Sequence, residues 1–326
     1  MKGFMRAHGS AFVVAVSAAL AGCNGRQSTL APFGAEAEDV RTLTLALVVG
    51  AVVIAAAVAA LASHATRAPE GSLTHRGGMR LVLWLGGIVP TIVLGALLLF
   101  SLPAMRPRAV GPADLRIRSV GEQFWFRVRY EPPGLPAVET ANEIRVPVGR
   151  TVLFELEGGD VIHSFWIPGL AGKMDMIPGR VNRLPVMATR PGRFRGQCAE
   201  FCGLSHALMA FEVVAMEGRA FDRWLADQRR PAAASAAPGR ALFGAYGCGG
   251  CHAIRGTEHA GAIGPDLSRF GARSTLGAGI LPPTEGNVAR FVRHPETIKP
   301  GVRMPAFPHM PPRDAVLIAR YLKGLT

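Results

Sequence analysis

The chain has 326 residues, 49% of them hydrophobic, and 36 Lys and Arg against 23 Asp and Glu give a formal net charge of +13. That length and apolar content exclude a single soluble domain and point first to export and membrane segments. With 5 cysteines, each needs its own explanation rather than a place in a disulfide framework.

The first element is a leader. Lys2 and Arg6 precede an apolar run from Ala11 to Leu20, followed by Leu20-Ala-Gly-Cys23. The run is too short to span about 30 Å of hydrocarbon, and its ending resembles a bacterial lipobox rather than an ordinary cleaved signal or a short anchor. Residues 1–22 are expected to be a lipoprotein signal peptide, with lipidation of Cys23 and an exported N-terminal segment over 23–41. Two apolar stretches follow, 42–63 and 81–102, each long enough to cross a bilayer, and together they predict a transmembrane helix hairpin over 42–104. The segment between them carries Arg67, Arg76 and Arg80 against Glu70, so the positive-inside rule places it in the cytoplasm and both termini outside. Arg106 and Arg108 weaken that asymmetry without reversing it.

Beyond a proline-bounded exit, apolar and polar residues alternate over 115–120 and 124–130. Further short runs at 143–148, 151–156, 183–187 and 211–216 are separated by Gly and Pro turns. Short strands at this spacing predict a Greek-key β-sandwich over 113–228. An Ala/Pro linker over 229–238 then gives way to a new module over 239–326, with amphipathic helices predicted at 239–246 and 313–325.

The stretch Cys198-Ala-Glu-Phe-Cys202-Gly-Leu-Ser-His206-Ala-Leu-Met209 puts two thiols, an imidazole and a thioether in one short loop. Soft sulfur ligands with imidazole select copper, and a weak Met ligand is typical of electron-transfer copper. A CxxxC disulfide would explain the cysteines but not His206, Met209 or the upstream His163 in Asp160-Val-Ile-His163-Ser-Phe-Trp-Ile-Pro.

These motifs, with Lys173-Met-Asp-Met-Ile-Pro-Gly-Arg180, resemble subunit II of haem-copper cytochrome c oxidases. The resemblance implies a cupredoxin domain whose copper loop lies between its last two strands, and a binuclear CuA centre of two coppers bridged by Cys198 and Cys202. It further implies that His163 and His206 each cap one copper and that Met209 and the Glu200 carbonyl are weak ligands. The Glu200 carboxylate would face a magnesium or manganese ion at the border with subunit I.

In the last module, Cys248-Gly-Gly-Cys251-His252 is the CxxCH signature of covalent haem c, with His252 as proximal iron ligand. No βαβ pattern surrounds it and no second CxxC pair completes a zinc site. The helix pair and Lys299-Pro-Gly-Val-Arg-Met304-Pro resemble class I cytochromes c, which makes Met304 the expected distal ligand, with Met310 and His309 as competitors. From Arg229 to Thr326 there are 13 Lys and Arg against 5 Asp and Glu, a charge suited to an acidic partner or anionic headgroups. Nucleic acid is not an expected partner of an exported, membrane-anchored chain.

Taken whole, the chain resembles subunit II of a caa-type oxidase in the bacterial plasma membrane, its copper and haem domains on the outer face. The implied path runs from its own haem to copper and on to subunit I, where oxygen is reduced to water with proton pumping. Subunit III and a soluble cytochrome or respiratory-complex donor are the further expected partners. Two positions depart from the family. Phe124 stands where a tryptophan associated with electron acceptance is usual, so that either Trp125 substitutes for it, or the fused haem enters by another face, or Phe124, Trp125 and Phe126 are all packing; Trp125 is the candidate for electron entry. The start of the second span is apolar near Leu83 where many members carry a carboxylate. The competing readings are a subunit of a CuA-containing nitric oxide reductase and a stand-alone membrane-anchored electron carrier. A quinol oxidase subunit is disfavoured because such subunits lack the copper ligands.

Overall fold

The computed structural model describes residues 25–69, 71–72, 74–103, 113–232 and 237–326. The expected signal peptide and Cys23 lie outside these residues, as does part of the Ala/Pro linker.

Helix α1 spans Ala35–Ala65 and helix α2 spans His75–Ser101. Both are apolar and long enough to cross a membrane, and the apolar side chains over the predicted spans are exposed, as a lipid-facing surface requires. Both helices begin before the predicted spans: the extension of α1 is rich in Ala and Glu, which favour helix, whereas that of α2 contains Gly77 and Gly78 and is started by a cap. Thr74 caps α2 by accepting from the Gly77 amide. Within α2 the stretch Val82–Ile88 is π-helical, and Pro90 follows directly, in the first turn of the regular helix beyond it.

Among the described residues, ten strands form two five-stranded sheets, the sandwich expected from the alternating pattern. One sheet runs β3-β2-β1-β5-β8, where β1 is Leu115–Glu122, β2 Trp125–Glu131, β3 Val138–Ala141, β5 Thr151–Gly158 and β8 Asn182–Met187. The other runs β4-β10-β9-β6-β7, where β4 is Glu143–Pro147, β6 His163–Trp166, β7 Met174–Met176, β9 Gly192–Cys198 and β10 Ala210–Met216. Parallel pairing joins β1 to β5 and β10 to β4, and the remaining pairs are antiparallel. In β1, Leu115, Ile117 and Ser119 point inward while Arg116 and Arg118 point out, as the period of two dictates. Tyr130 links the sheets, its hydroxyl accepting from the Arg145 amide at 2.7 Å and donating to the Arg145 carbonyl at 3.1 Å.

An aromatic cluster fills the core: Phe165 stacks on Phe211 at 4.8 Å between centroids, and Phe126 meets Phe211 edge-on at 4.7 Å. Such pairs contribute about 0.5–1.5 kcal/mol each beyond area burial. Phe165 lies two residues after His163 and Phe211 two after Met209, so the cluster anchors the backbone at both ends of the predicted copper site. Residues 25–34 also join this core, with Phe33 stacked on Phe194 and the Phe33 and Gly34 amides bonded to the Gly169 carbonyl.

Helix α3 (Gly218–Gln228) closes the sandwich by burying Phe221 and Leu225. The last module contains α4 (Ala237–Ala245), α5 (Glu285–Arg293) and α6 (Pro312–Lys323) around a second core that includes Phe243, Val288, Ile318 and Tyr321. Helix α4 packs on α6 where Gly239 meets Leu317 and Tyr321.

Candidate redox sites

Strand β6 delivers His163, β9 delivers Cys198 at its last residue, and the connection to β10 delivers Cys202, His206 and Met209. The donor atoms form a chain: His163 Nδ1 to Cys198 Sγ 3.8 Å, Cys198 Sγ to Cys202 Sγ 3.9 Å, Cys202 Sγ to His206 Nδ1 3.6 Å and to Met209 Sδ 3.8 Å. The Glu200 carbonyl oxygen adds a sixth donor 3.2 Å from Cys198 Sγ. All the residues predicted as copper ligands are thus brought together, in a set soft enough to suit copper. The Glu200 carboxylate points away and is half exposed, 3.9 Å from Lys173.

The neighbours settle protonation. Cys202 and then His163 pull the Cys198 thiol down to about 3 against the effect of burial, while Cys202 is pushed up because the pair shares one proton. Metal ligands must shed such protons, and this pocket has already lowered one of them. Burial alone would push the His163 imidazole down, but Cys198 and Asp160 outweigh it and leave it raised. Asp160 Oδ1 takes Nε2 of His163 at 2.8 Å, so Nδ1 is the nitrogen turned to the sulfurs. The Asp160 carboxylate also accepts from the Gln123 and Val161 amides, and the His163 bond, together with these two, outweighs burial and holds its pKa below the usual range.

The second site is a cavity of about 360 Å³ that Cys251, His252 and Met304 line. His252 Nδ1 lies 2.8 Å from the Pro265 carbonyl oxygen and donates to it, and burial lowers its pKa, so Nε2 is a free lone pair as iron ligation requires. Cys248 is partly buried against the helical core. Met310 is 2% exposed within that core and does not line the cavity, and His309 is exposed. A CxxCH turn, a neutral histidine and a thioether around one cavity fit haem c.

Glycine is required beneath two of these histidines, His163 and His252. A Cβ on Gly121 would stand 2.9 Å from the His163 ring, and one on Gly264 would stand 2.5 Å from the His252 ring.

The cavity is not built by the last module alone. Gln123, Phe124, Trp125, Arg127 and Glu143 of the sandwich line it too. Bonds cross the seam around it. Arg303 donates to Asp160 Oδ2 at 2.8 Å, Ser205 Oγ to the Pro300 carbonyl at 2.6 Å, and Arg127 to the Ala262 carbonyl at 3.0 Å. The Ser274 amide and hydroxyl both donate to Glu143 Oε2, at 3.1 and 3.0 Å. Lys299 Nζ donates to the Leu208 carbonyl at 2.9 Å and to the Gly277 carbonyl at 2.7 Å, and burial pushes its pKa down to about 7. Sequence reasoning missed Asp160, Lys299 and Arg303 as functional residues. Their signal was their place inside the quoted motifs, three residues before His163 and within the segment that ends at Met304.

Comparison with known proteins gives two family matches, the cytochrome c oxidase subunit II periplasmic domain over residues 116–216 and cytochrome c over residues 236–326. The chain is 40% identical over 220 residues to cytochrome c oxidase subunit 2 of Alkalihalophilus pseudofirmus, covering 66% of this chain and 63% of that protein. It is 32% identical over 260 residues to cytochrome c oxidase subunit 2 of Bacillus sp. (strain PS3), covering 75% and 71%. The first of these matches therefore spans a little under two thirds of the relative's length. The crystal structure of the periplasmic domain of cytochrome oxidase subunit II from Bradyrhizobium japonicum matches at 32% identity and a TM-score of 0.35, covering 37% of this chain and 97% of that one.

Proposed function

We infer that this chain, which belongs to the cytochrome c oxidase subunit II family and ends in a cytochrome c domain, is the electron-accepting subunit of a caa-type oxidase. Bound haem c and copper supply the one-electron chemistry. The chain's residues would hold them: Cys248 and Cys251 would tether the haem, and His252 and Met304 would be its iron ligands. Cys198, Cys202, His163, His206, Met209 and the Glu200 carbonyl take two coppers. With both groups bound, the residues that hold them would give electrons a route from the haem site to the copper site and on to subunit I, where oxygen would be reduced to water with proton pumping. Trp125, which lines the cavity, would assist the first transfer. The exposed Glu200 carboxylate is left to a magnesium or manganese ion shared with subunit I. Subunit III, an external cytochrome or respiratory-complex donor, lipidation of Cys23 and a plasma-membrane location with the redox domains on the outer face complete the reading.

The observation that carries it is the shared wall. The cavity for haem is lined by sandwich residues, and Arg303, the neighbour of Met304, bonds to the carboxylate that holds His163. Two one-electron sites so joined exchange electrons without waiting for a diffusing partner, and that is the physical gain of fusing them.

The test is oxygen and nitric oxide consumption by the complex purified through this chain, with copper and haem measured on the same sample. Oxygen uptake driven by ascorbate, with two coppers per haem c after correcting for subunit I, is the expected result. Nitric oxide consumption without oxygen uptake moves the assignment to a nitric oxide reductase. A chain that purifies alone with both sites filled makes it a carrier.

A further inference from the structure

Two basic side chains stand in the wall of the haem cavity, Lys299, which is buried, and Arg273, which is partly buried. Arg273 bonds the Asp266 carbonyl and leaves its Nε without a partner. Lys299 is 2% exposed, and its described bonds go only to the Leu208 and Gly277 carbonyls. Neither side chain has a carboxylate within ion-pair distance among the described residues. Burying a cation without an anion is strongly unfavourable, so a cavity with Lys299 buried in its wall, and Arg273 partly buried beside it, suits an occupant that brings negative charge. Haem does so through its two propionates.

We propose that Lys299 binds a haem propionate with its remaining N–H while keeping its bonds to Leu208 and Gly277. This rests on the reading of the cavity as a haem c site and adds a role to one residue. Leu208 precedes the copper ligand Met209, so a single ammonium group would tie the charged edge of the haem to the backbone of the copper loop. Lys299 is then both a haem-binding residue and a positioning residue for the copper domain. A neutral amide has only two donors, whereas a compact ammonium with three donors serves all three acceptors.

The test uses the full chain in its complex, loaded with haem carrying 13C in the propionate carboxylates, with Lys299→Met and Lys299→Gln as variants. Two readouts are needed, the isotope-edited infrared band of the propionates and the midpoint potential of the haem. Both variants are expected to shift the labelled band and to lower the haem potential. The expected size is a tenfold change in the distribution of one electron between haem and copper, or about 59 mV. The Met-to-iron and copper absorption bands should remain. If the labelled band and the potential match the parent in either folded variant, the proposal is wrong, and Lys299 is only a donor to two carbonyls. If the parent chain has no haem on Cys248 and Cys251, which a haem stain on a denaturing gel shows, the haem reading itself fails and the proposal falls with it.

Discussion

Asp160 grips His163 from behind: Oδ1 of the carboxylate lies 2.8 Å from Nε2 of a fully buried imidazole whose Nδ1 is 3.8 Å from Cys198. The carboxylate sets the tautomer and the ring orientation, and so raises the basicity of the nitrogen that faces the sulfurs. Asp160→Ala should weaken copper binding by about 10- to 100-fold. Competition with a copper chelator on the purified full chain measures this, and an unchanged affinity would show that the sulfurs alone dictate the site.

The other oxygen of the same carboxylate takes Arg303 at 2.8 Å, across the seam. Arg303 is more than half exposed, and a screened pair of this kind is worth about 1 kcal/mol or less. Arg303→Gln should therefore slow transfer from haem to copper by no more than about fivefold, since 1 kcal/mol is roughly that factor. Added salt should slow the parent protein in the same direction and leave the variant nearly unaffected. Flash-triggered transfer at low and high ionic strength tests both statements. A loss of several orders of magnitude would mean that Arg303 does more than dock the two modules.

Met304 and Met310 separate cleanly on placement. Met304 shares the cavity with His252, whereas Met310 is packed in the helical core. Met304→Leu should abolish the Met-to-iron charge-transfer band and lower the haem potential, because the thioether ligand is what raises it. Met310→Leu should keep that band and cost less than about 1.5 kcal/mol, as volume-conserving core exchanges do. The reverse pattern in visible spectra would reassign the distal ligand.

Much of this was legible in the residues themselves. Period-two alternation marked β1 and β2, and twenty-odd uncharged residues marked each apolar helix, because burial or lipid imposes those patterns directly. The copper loop was legible because soft ligands at that spacing have few other uses. The strands β3, β6, β7 and β9 were not predicted. His163-Ser-Phe-Trp and Met174-Asp-Met are too short to display a period, and Gly192 to Cys198 alternates Arg and Gln with Gly, Phe and Cys, so its inward face carries a weak apolar signal. The seam was illegible for a different reason. Nothing local in Lys299 or Ser274 announces that a carbonyl or a carboxylate 91 or 131 residues away will become its partner.

Glu143 makes the seam sensitive to acid. It is 8% exposed, with one oxygen held by Arg145 at 2.9 Å and the other by the Ser274 amide and hydroxyl. Burial raises its pKa, but Arg145 and Ser274 outweigh burial and leave the carboxyl below its ordinary value. A carboxyl depressed by folding stabilises the folded form fully above its unfolded pKa, about 4.3, and that contribution is lost as pH falls through the lower folded value. Protection of the Ser274 amide from hydrogen exchange, corrected for the intrinsic rate, should hold from neutral pH to about 4.3 and then fall. Glu143→Gln removes a charge-assisted acceptor worth roughly 1.5–3 kcal/mol, so protection should be lower at neutral pH and should lose this acid step. An identical acid step in the Gln variant would place the responsible carboxylate elsewhere.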